Sequence, residues 1–281
     1  MRKIIPYLNV KLMVFAFVCF IYSCTNNENR VNNQVVDRVQ CEEFQQIIDS
    51  ANVNGSILFY NANTDKFYSN NFDWAEKQFL PASTFKITNS IIALETGLIE
   101  DDSTLIEWDG EERAMEIWEQ DLIFRDAFHY SCVPCYQEIA RNIGVERMNE
   151  YLEKFNYGNM IVNDESIDIF WLEGESGISQ FEQIEFLRKL YNSELPISAD
   201  TEKIMKRLMV IDENSAYTIS GKTGWSIRNG NNNGWFVGYF ETQKNVWYFA
   251  TNISPSEEFN MDLFPVIRKD ITFKAFEQIT K

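Results

Sequence analysis

The chain has 281 residues, 45% of them apolar and 15% aromatic, which is enough to bury a sizeable core and excludes a disordered polymer. Its formal charge of −17 repels polyanions and so argues against nucleic acid and anionic surfaces as partners. A single C-x-x-C, Cys132 and Cys135, with no second cysteine pair and one histidine, His129, argues against structural zinc, which needs four ligands.

In chain order, the first stretch, MRKIIPYLNVKLMVFAFVCFIYSC, has a basic start and an apolar run over residues 12–22. It reads as a secretory signal, residues 1–23, because a membrane span needs about twenty apolar residues. Ile21, Tyr22, Ser23 and Cys24 are similar to a bacterial lipobox, with Tyr22 as the departure from it. Cys24 is therefore a candidate for lipidation, and the expected location is outside the cytoplasm: exported, periplasmic, and anchored to the membrane as a lipoprotein. Residues 24–40 are polar and rich in asparagine, as in a flexible tether, and residues 41–281 form the folded domain. Losing the signal with Arg2, Lys3 and Lys11 removes three positive charges and takes the body to −20.

Residues 55–70 read as two short strands around an Asn-rich turn. Helices are expected over residues 83–99, 136–156 and 179–192 from their apolar spacing. Three aromatic and β-branched strands follow over residues 216–223, 234–241 and 245–253, and residues 264–279 close the chain as an amphipathic helix. The fold class is α/β of the α+β type. One mostly antiparallel sheet is built from both chain ends and flanked by helices, and a helical subdomain leaves a cleft where it meets the sheet.

Of the cysteines beyond Cys24, Cys41, Cys132 and Cys135 are odd in number, so they cannot all pair internally. Cys132 and Cys135 are read as a local disulfide or as two small buried thiols.

The segment PASTFK places Lys86 three residues after Ser83. On a helix that spacing puts both side chains on one face, so a lysine held neutral by burial can activate the serine. A Ser-x-x-Lys spacing arises about once by chance in a chain this long, and a serine near a helix start is also an ordinary cap. Four further stretches supply the company it needs: Ser131-Cys132-Val133, Tyr157-Gly158-Asn159, Phe170-Trp171-Leu172-Glu173-Gly174 and Lys222-Thr223-Gly224. In this order and spacing, over almost all of residues 41–279, the set resembles the class D serine β-lactamases, the oxacillinases, with the fold of serine β-lactamases and penicillin-binding proteins.

The resemblance implies hydrolysis of β-lactam antibiotics through an acyl-enzyme on Ser83. Lys86 would be the base, modified by N-carboxylation with carbon dioxide or bicarbonate, and no other cofactor and no metal would be needed. Ser131 would pass a proton to the lactam nitrogen beside Lys222. The backbone N–H groups of Ser83 and Trp225 would form the oxyanion hole, and Thr223 and Arg268 would bind the substrate carboxylate. Val133, Trp171 and Leu172 would wall the lysine pocket, with Trp171 donating to the carbamate, and Tyr157 and Asn159 would support it.

Competing readings are ordinary core for Trp171 and Leu172, a structural turn at 157–159, and a solvated charge or a partner of Asp262 or Asp270 for Arg268. His129 reads as a structural or rim residue. Two rival functions share acylation. A β-lactam receptor domain that stays acylated is expected to be tethered to membrane helices and a protease domain, which are not seen here. A peptidoglycan carboxypeptidase is expected to carry Asn where Val133 stands.

Overall fold

The computed structural model describes residues 37–281. The expected signal peptide, Cys24 and most of the tether lie outside the described residues. Strand β1 (Asp37–Gln40) falls within the stretch assigned to the tether. It runs parallel to β3 (Lys66–Ser69), so the folded body already includes residues before Cys41.

Helix α1 (Glu42–Ser50) buries Phe44 and Ile48. It leads into β2 (Val53–Asn61), which forms the expected hairpin with β3; the Asn61 side chain accepts from the N–H groups of Asn63 and Thr64 inside the turn. A short α2 (Phe72–Ala75) follows, capped by Asn71, which accepts from the Trp74 N–H.

The helical part starts with a 3-10 turn, Ala82–Phe85, running into α3 (Lys86–Glu95). The strands β4 (Leu105–Ile106) and β5 (Leu122–Ile123) pair with each other, and α4 (Phe124–His129), α5 (Val133–Ile143) and α6 (Val145–Phe155) follow. The single helical stretch expected over 136–156 is thus two helices. Gly144, at φ +81°, turns the chain between them, a conformation that costs glycine little. Helix α7 (Gln180–Tyr191) opens on a capping box between Ser179 and Glu182. Helix α8 (Ala199–Leu208), capped by Ser198, has no counterpart in the sequence reading.

The chain ends in β6 (Val210–Glu213), β7 (Tyr217–Arg228), β8 (Asn231–Thr242), β9 (Val246–Pro255) and α9 (Phe264–Ile279). The main sheet has the order β1-β3-β2-β9-β8-β7-β6. Apart from the β1–β3 pair its neighbours are antiparallel.

Both faces of this sheet are covered, and the period of two in its strands sorts side chains between them. Leu58, Tyr60, Val237, Tyr239, Tyr248 and Ala250 face the core shared with α3 to α8. Ile57, Phe59, Phe236, Phe240, Phe249 and Ile253 face α1 and α9, where Phe276 stacks on Phe240 at 3.8 Å. The last β6 partners in β7 are Thr218, Ile219 and Ser220. From Gly221 onward β7 therefore has no strand on its outer side among the described residues, and the 3-10 turn carrying Ser83 packs against it at Gly224.

Behind the helices, buried Asp102 accepts from Arg125 of α4 and from Arg207 of α8, the latter through Nε at 3.0 Å. Those hydrogen bonds, Arg207 first, hold the Asp102 carboxyl down to about 2.

Candidate active site

The turn that presents Ser83 is fixed from several sides. Pro81, at φ −65°, caps it, and Ala82 takes a left-handed φ of +51°, unusual for a residue with a Cβ. Its neighbours hold it there. The Ala82 N–H donates to the Trp171 carbonyl at 2.8 Å, and the Thr84 hydroxyl donates to the Pro81 carbonyl at 2.7 Å and accepts from Gln183 Nε2 at 2.9 Å. The preceding Leu80 carbonyl accepts from Asn233 Nδ2 at 2.8 Å and from Trp235 Nε1 at 2.9 Å. On the strand side, a Cβ on Gly224 would lie 3.0 Å from the Pro81 carbonyl and 3.2 Å from Ser83 N. Only a glycine lets β7 come so close to the serine.

Lys86 is 1% exposed, and its Nζ donates to Ser83 Oγ at 3.1 Å. Burial first, and the Lys222 charge second, push its amine well below the ordinary lysine range. The Tyr136 ring lies 5.0 Å from Nζ. An amine kept neutral in this way can accept the Ser83 proton.

Trp171 and Leu172 pack in the apolar core that includes Phe85. The Trp171 ring stacks on Phe85 with centroids 5.4 Å apart and meets Phe170 edge-on, and Leu172 packs half-buried against the same core. Trp171 Nε1 is buried yet donates to no described residue, an arrangement that ordinary core packing does not explain. Tyr157 is buried against Phe85 and Phe186. Asn159 is exposed and works through its backbone, exchanging hydrogen bonds of 2.8 Å with Gly177. Gly158, at φ +55°, sits where a Cβ would be 2.6 Å from the Gly177 carbonyl. The structural-turn reading fits Gly158 and Asn159, while Tyr157 packs into the core beside Phe85.

Across from Lys86, Lys222 of β7 donates to Ser131 Oγ at 3.1 Å with the Phe128 ring 5.6 Å from its Nζ. Burial, with Arg268 and Lys269 adding repulsion, pushes its amine down to about 7. Val133 opens α5 two residues after Ser131 and is half-buried. Thr223 and Trp225 are half-buried along the open part of β7, and Trp225 Nε1 donates to Asn232 at 2.8 Å.

Arg268 is 6% exposed on α9. It donates to the carbonyls of Gly224, of Phe264 at 3.2 Å and of Pro265 at 3.1 Å, so it is neither a solvated helix charge nor a partner of Asp262 or Asp270. Those contacts use three of its five N–H donors, and desolvation lowers it to about 10. His129 is exposed at the end of α4.

The structure thus pairs Ser83 with Lys86 and Ser131 with Lys222 by direct hydrogen bonds, the Lys222 charge acts on Lys86, and Arg268 bonds the Gly224 carbonyl two residues beyond Lys222. Sequence reasoning missed Phe128 and Tyr136, whose rings lie near the two amines, and Asn233 and Asn252, which link β8 to β9 at 2.7 Å behind Leu80. A polar side chain inside an apolar strand is the signal that could have found Asn252; Asn233, in the asparagine-rich start of β8, carries no such signal. Cys132 and Cys135 form a disulfide, and Cys41 is buried and unpaired with any described cysteine. Among the described residues no group of three or more His, Cys, Asp or Glu converges as a metal site.

A model of the penicillin binding protein transpeptidase domain matches residues 28–263. The β-lactamase OXA-48 of Klebsiella pneumoniae is 42% identical over 217 residues, which is 77% of this chain and 82% of that protein. The regulatory protein BlaR1 of Bacillus licheniformis is 32% identical over 76% of this chain, which spans 36% of that longer protein. The crystal structure of the class D β-lactamase YbXI from Nostoc is similar with a TM-score of 0.80 at 42% identity, covering 84% of this chain and 98% of its own.

Proposed function

The chain belongs to the class D β-lactamases, serine enzymes that need no metal, and from that membership we propose that it hydrolyses β-lactams through an acyl-enzyme on Ser83, with N-carboxylated Lys86 as the base. One observation carries the reading. A buried lysine with no carboxylate partner among the described residues lies 3.1 Å from the serine, and the buried Nε1 of Trp171, whose ring stacks on Phe85, the residue before Lys86, lacks an acceptor.

A neutral Lys86 amine can attack carbon dioxide, forming an N–C bond and losing a proton. The resulting carbamate would give Trp171 the acceptor it lacks. Its negative charge would also sit near Lys222, the cation that acts on Lys86, where opposite charge is favoured. It would take the Ser83 proton during acylation and a proton from water during deacylation. Ser131, hydrogen-bonded to Lys222, is placed to pass a proton to the departing lactam nitrogen. The backbone N–H groups of Ser83 and Trp225 would hold the developing oxyanion. Thr223 and the two unused donors of Arg268 would receive the substrate carboxylate.

The Cys132–Cys135 disulfide supports the further proposal that the protein is exported to an oxidising compartment. Lipid attachment at Cys24 completes that proposal, and mass analysis finding an unmodified Cys24 or cleavage elsewhere would refute it.

The similarity to BlaR1 favours one second reading, a domain that is acylated and stays so. Stopped-flow mixing with a chromogenic cephalosporin separates the two. Sustained turnover supports the enzyme, and a single stoichiometric burst supports the receptor. Activity lost below neutral pH should return on adding bicarbonate at fixed pH. If bicarbonate changes the rate at no pH, Lys86 acts as a plain amine.

A further inference from the structure

The segment on which Ser131 depends is short and bent. Ser131 sits at φ +55°, a left-handed conformation that a serine holds only when its surroundings impose it. It lies between the end of α4 and the first turn of α5, and backbone bonds from Ser131 N–H to Phe128 and from Cys132 N–H to Ala127, at 3.1 and 2.9 Å, close the turn behind it. On its far side the usual device is missing. The residue capping α5 is Cys132, whose sulfur accepts from the Cys135 N–H at 3.2 Å, and sulfur is a weak acceptor where helices ordinarily place Ser, Thr, Asp or Asn.

The covalent bond from Cys132 to Cys135, with Cα atoms 5.4 Å apart, takes over that task. It encloses Val133 and Pro134. Tyr136 follows directly. Its ring is the one beside Lys86 Nζ, its carbonyl accepts from Asn89 at 3.2 Å, and its hydroxyl bonds Ser90 at 2.7 Å. One staple therefore fixes the first turn of α5, with Ser131 before it, Val133 inside it and Tyr136 after it. A bridge across so few residues removes little entropy from the unfolded chain compared with one closing a long loop. Global stabilisation is thus a poor account of its presence, and local geometry a better one.

We propose that Cys132 and Cys135 are positioning residues: their disulfide holds the Ser131 hydroxyl against Lys222 and the Tyr136 ring against Lys86, and breaking it slows acylation. The inference rests on the acyl-enzyme reading given above. Cys132 is fully buried, but Cys135 is only half-buried and lines cavities of about 270 and 310 Å³ bordered by Glu138 and Ile106. Those cavities contain none of Ser83, Lys86 or Lys222, so a small dithiol reaches the bond without entering the substrate site. Its thiolate attacks the Cys135 sulfur and displaces the Cys132 thiolate. Its second thiol then closes a cyclic disulfide and releases Cys135, leaving two protein thiols for two electrons and two protons taken up.

The test uses the full chain with and without dithiothreitol, intact mass confirming the gain of two hydrogens, alongside Cys135→Ala and the double variant Cys132→Ser/Cys135→Ala. Acylation is followed as covalent capture of a fluorescent penicillin, across pH, together with thermal melting. The expected result is an acylation rate about tenfold lower in the reduced protein and in Cys135→Ala, as for any misplaced proton relay. The acid limb of its pH profile should move as Lys222 loses its partner, while melting changes little. The double variant should recover part of the rate, because its serine caps α5 with oxygen. An oxidised protein that captures the penicillin and a reduced one that captures it equally fast, with the same pH profile, overturn this inference alone. An oxidised protein that forms no adduct overturns the acyl-enzyme reading and the inference with it. A fall in rate matched by an equal loss of folded protein overturns it in favour of a purely structural bridge.

Discussion

At the scale of single residues, Ser83 is the test of everything else. Ser83→Ala should lower β-lactam hydrolysis by about a thousandfold or more, with no adduct on its peptide by mass spectrometry; an adduct elsewhere would reassign the nucleophile. Trp171→Ala should act differently. It removes the donor proposed for the carbamate and an apolar side chain proposed to wall the lysine pocket, so deacylation should slow more than acylation and the acyl-enzyme should accumulate. Equal slowing of both steps would return Trp171 to plain core. Lys222 makes a pH prediction. Its folded amine is held down to about 7 against an ordinary 10.5, so between those values the unfolded chain binds the extra proton. Stability must then rise with pH across that window and fall toward neutrality. Urea midpoints should climb from pH 7 to 9 in the wild type and climb less in Lys222→Met. The residue types and spacings of Ser83, Lys86, Ser131 and Lys222 were legible in the sequence because the chemistry demands those groups. The closeness of Lys222 to Ser131 across 91 residues was expected only through the family resemblance, and the rings beside each amine were not legible, since apolar aromatics look alike until packed.

At the scale of elements, the approach of β7 to the Ser83 turn is the feature most open to test. A methyl group at Gly224 would press on Pro81, Ala82 and Ser83 N at 3.0–3.2 Å, and the turn would have to yield by a few tenths of an ångström. Gly224→Ala should therefore cut kcat strongly while leaving most of the melting temperature, and a variant with unchanged kcat would show that the approach is dispensable. Long periodic segments were read well: the three C-terminal strands and α9 lie where their patterns put them. The misses have causes. The hydrophobic period continues through Gly144, which hid the break between α5 and α6. Helix α8 is mostly polar, burying little beyond Thr201, Met205 and Leu208, so its apolar stripe was too thin to register. Strand β1 owes its form to pairing with β3 rather than to its own residues Asp37, Arg38, Val39 and Gln40.

At the scale of the whole molecule, Asp102 ties α4 to α8 behind the active-site helices. Both arginines are nearly half exposed, which screens the pairs, so Asp102→Asn should cost about 1–2 kcal/mol. The carboxyl is held down to about 2 against an ordinary 3.8. Its contribution is present above pH 4 and lost as pH falls through 2, so wild type and variant should converge in acid denaturation across that interval; a gap unchanged at pH 2 would mean that the charge contributes nothing. The sheet order has a further consequence, for how the chain reaches this state. Strand β2, among the first made, takes as its inner neighbour β9, among the last, with Val53 opposite Pro255 and Asn61 opposite Trp247. Contacts so distant along the chain make folding slow, on the order of milliseconds to seconds or longer. A chain emerging end-first from a ribosome or a translocation pore therefore has the first half of its sheet waiting, with a bare apolar edge, until almost all of it is out. Folding cannot be completed piecemeal, and the interval before β9 arrives is when this protein is most exposed to aggregation and most dependent on a chaperone's protection.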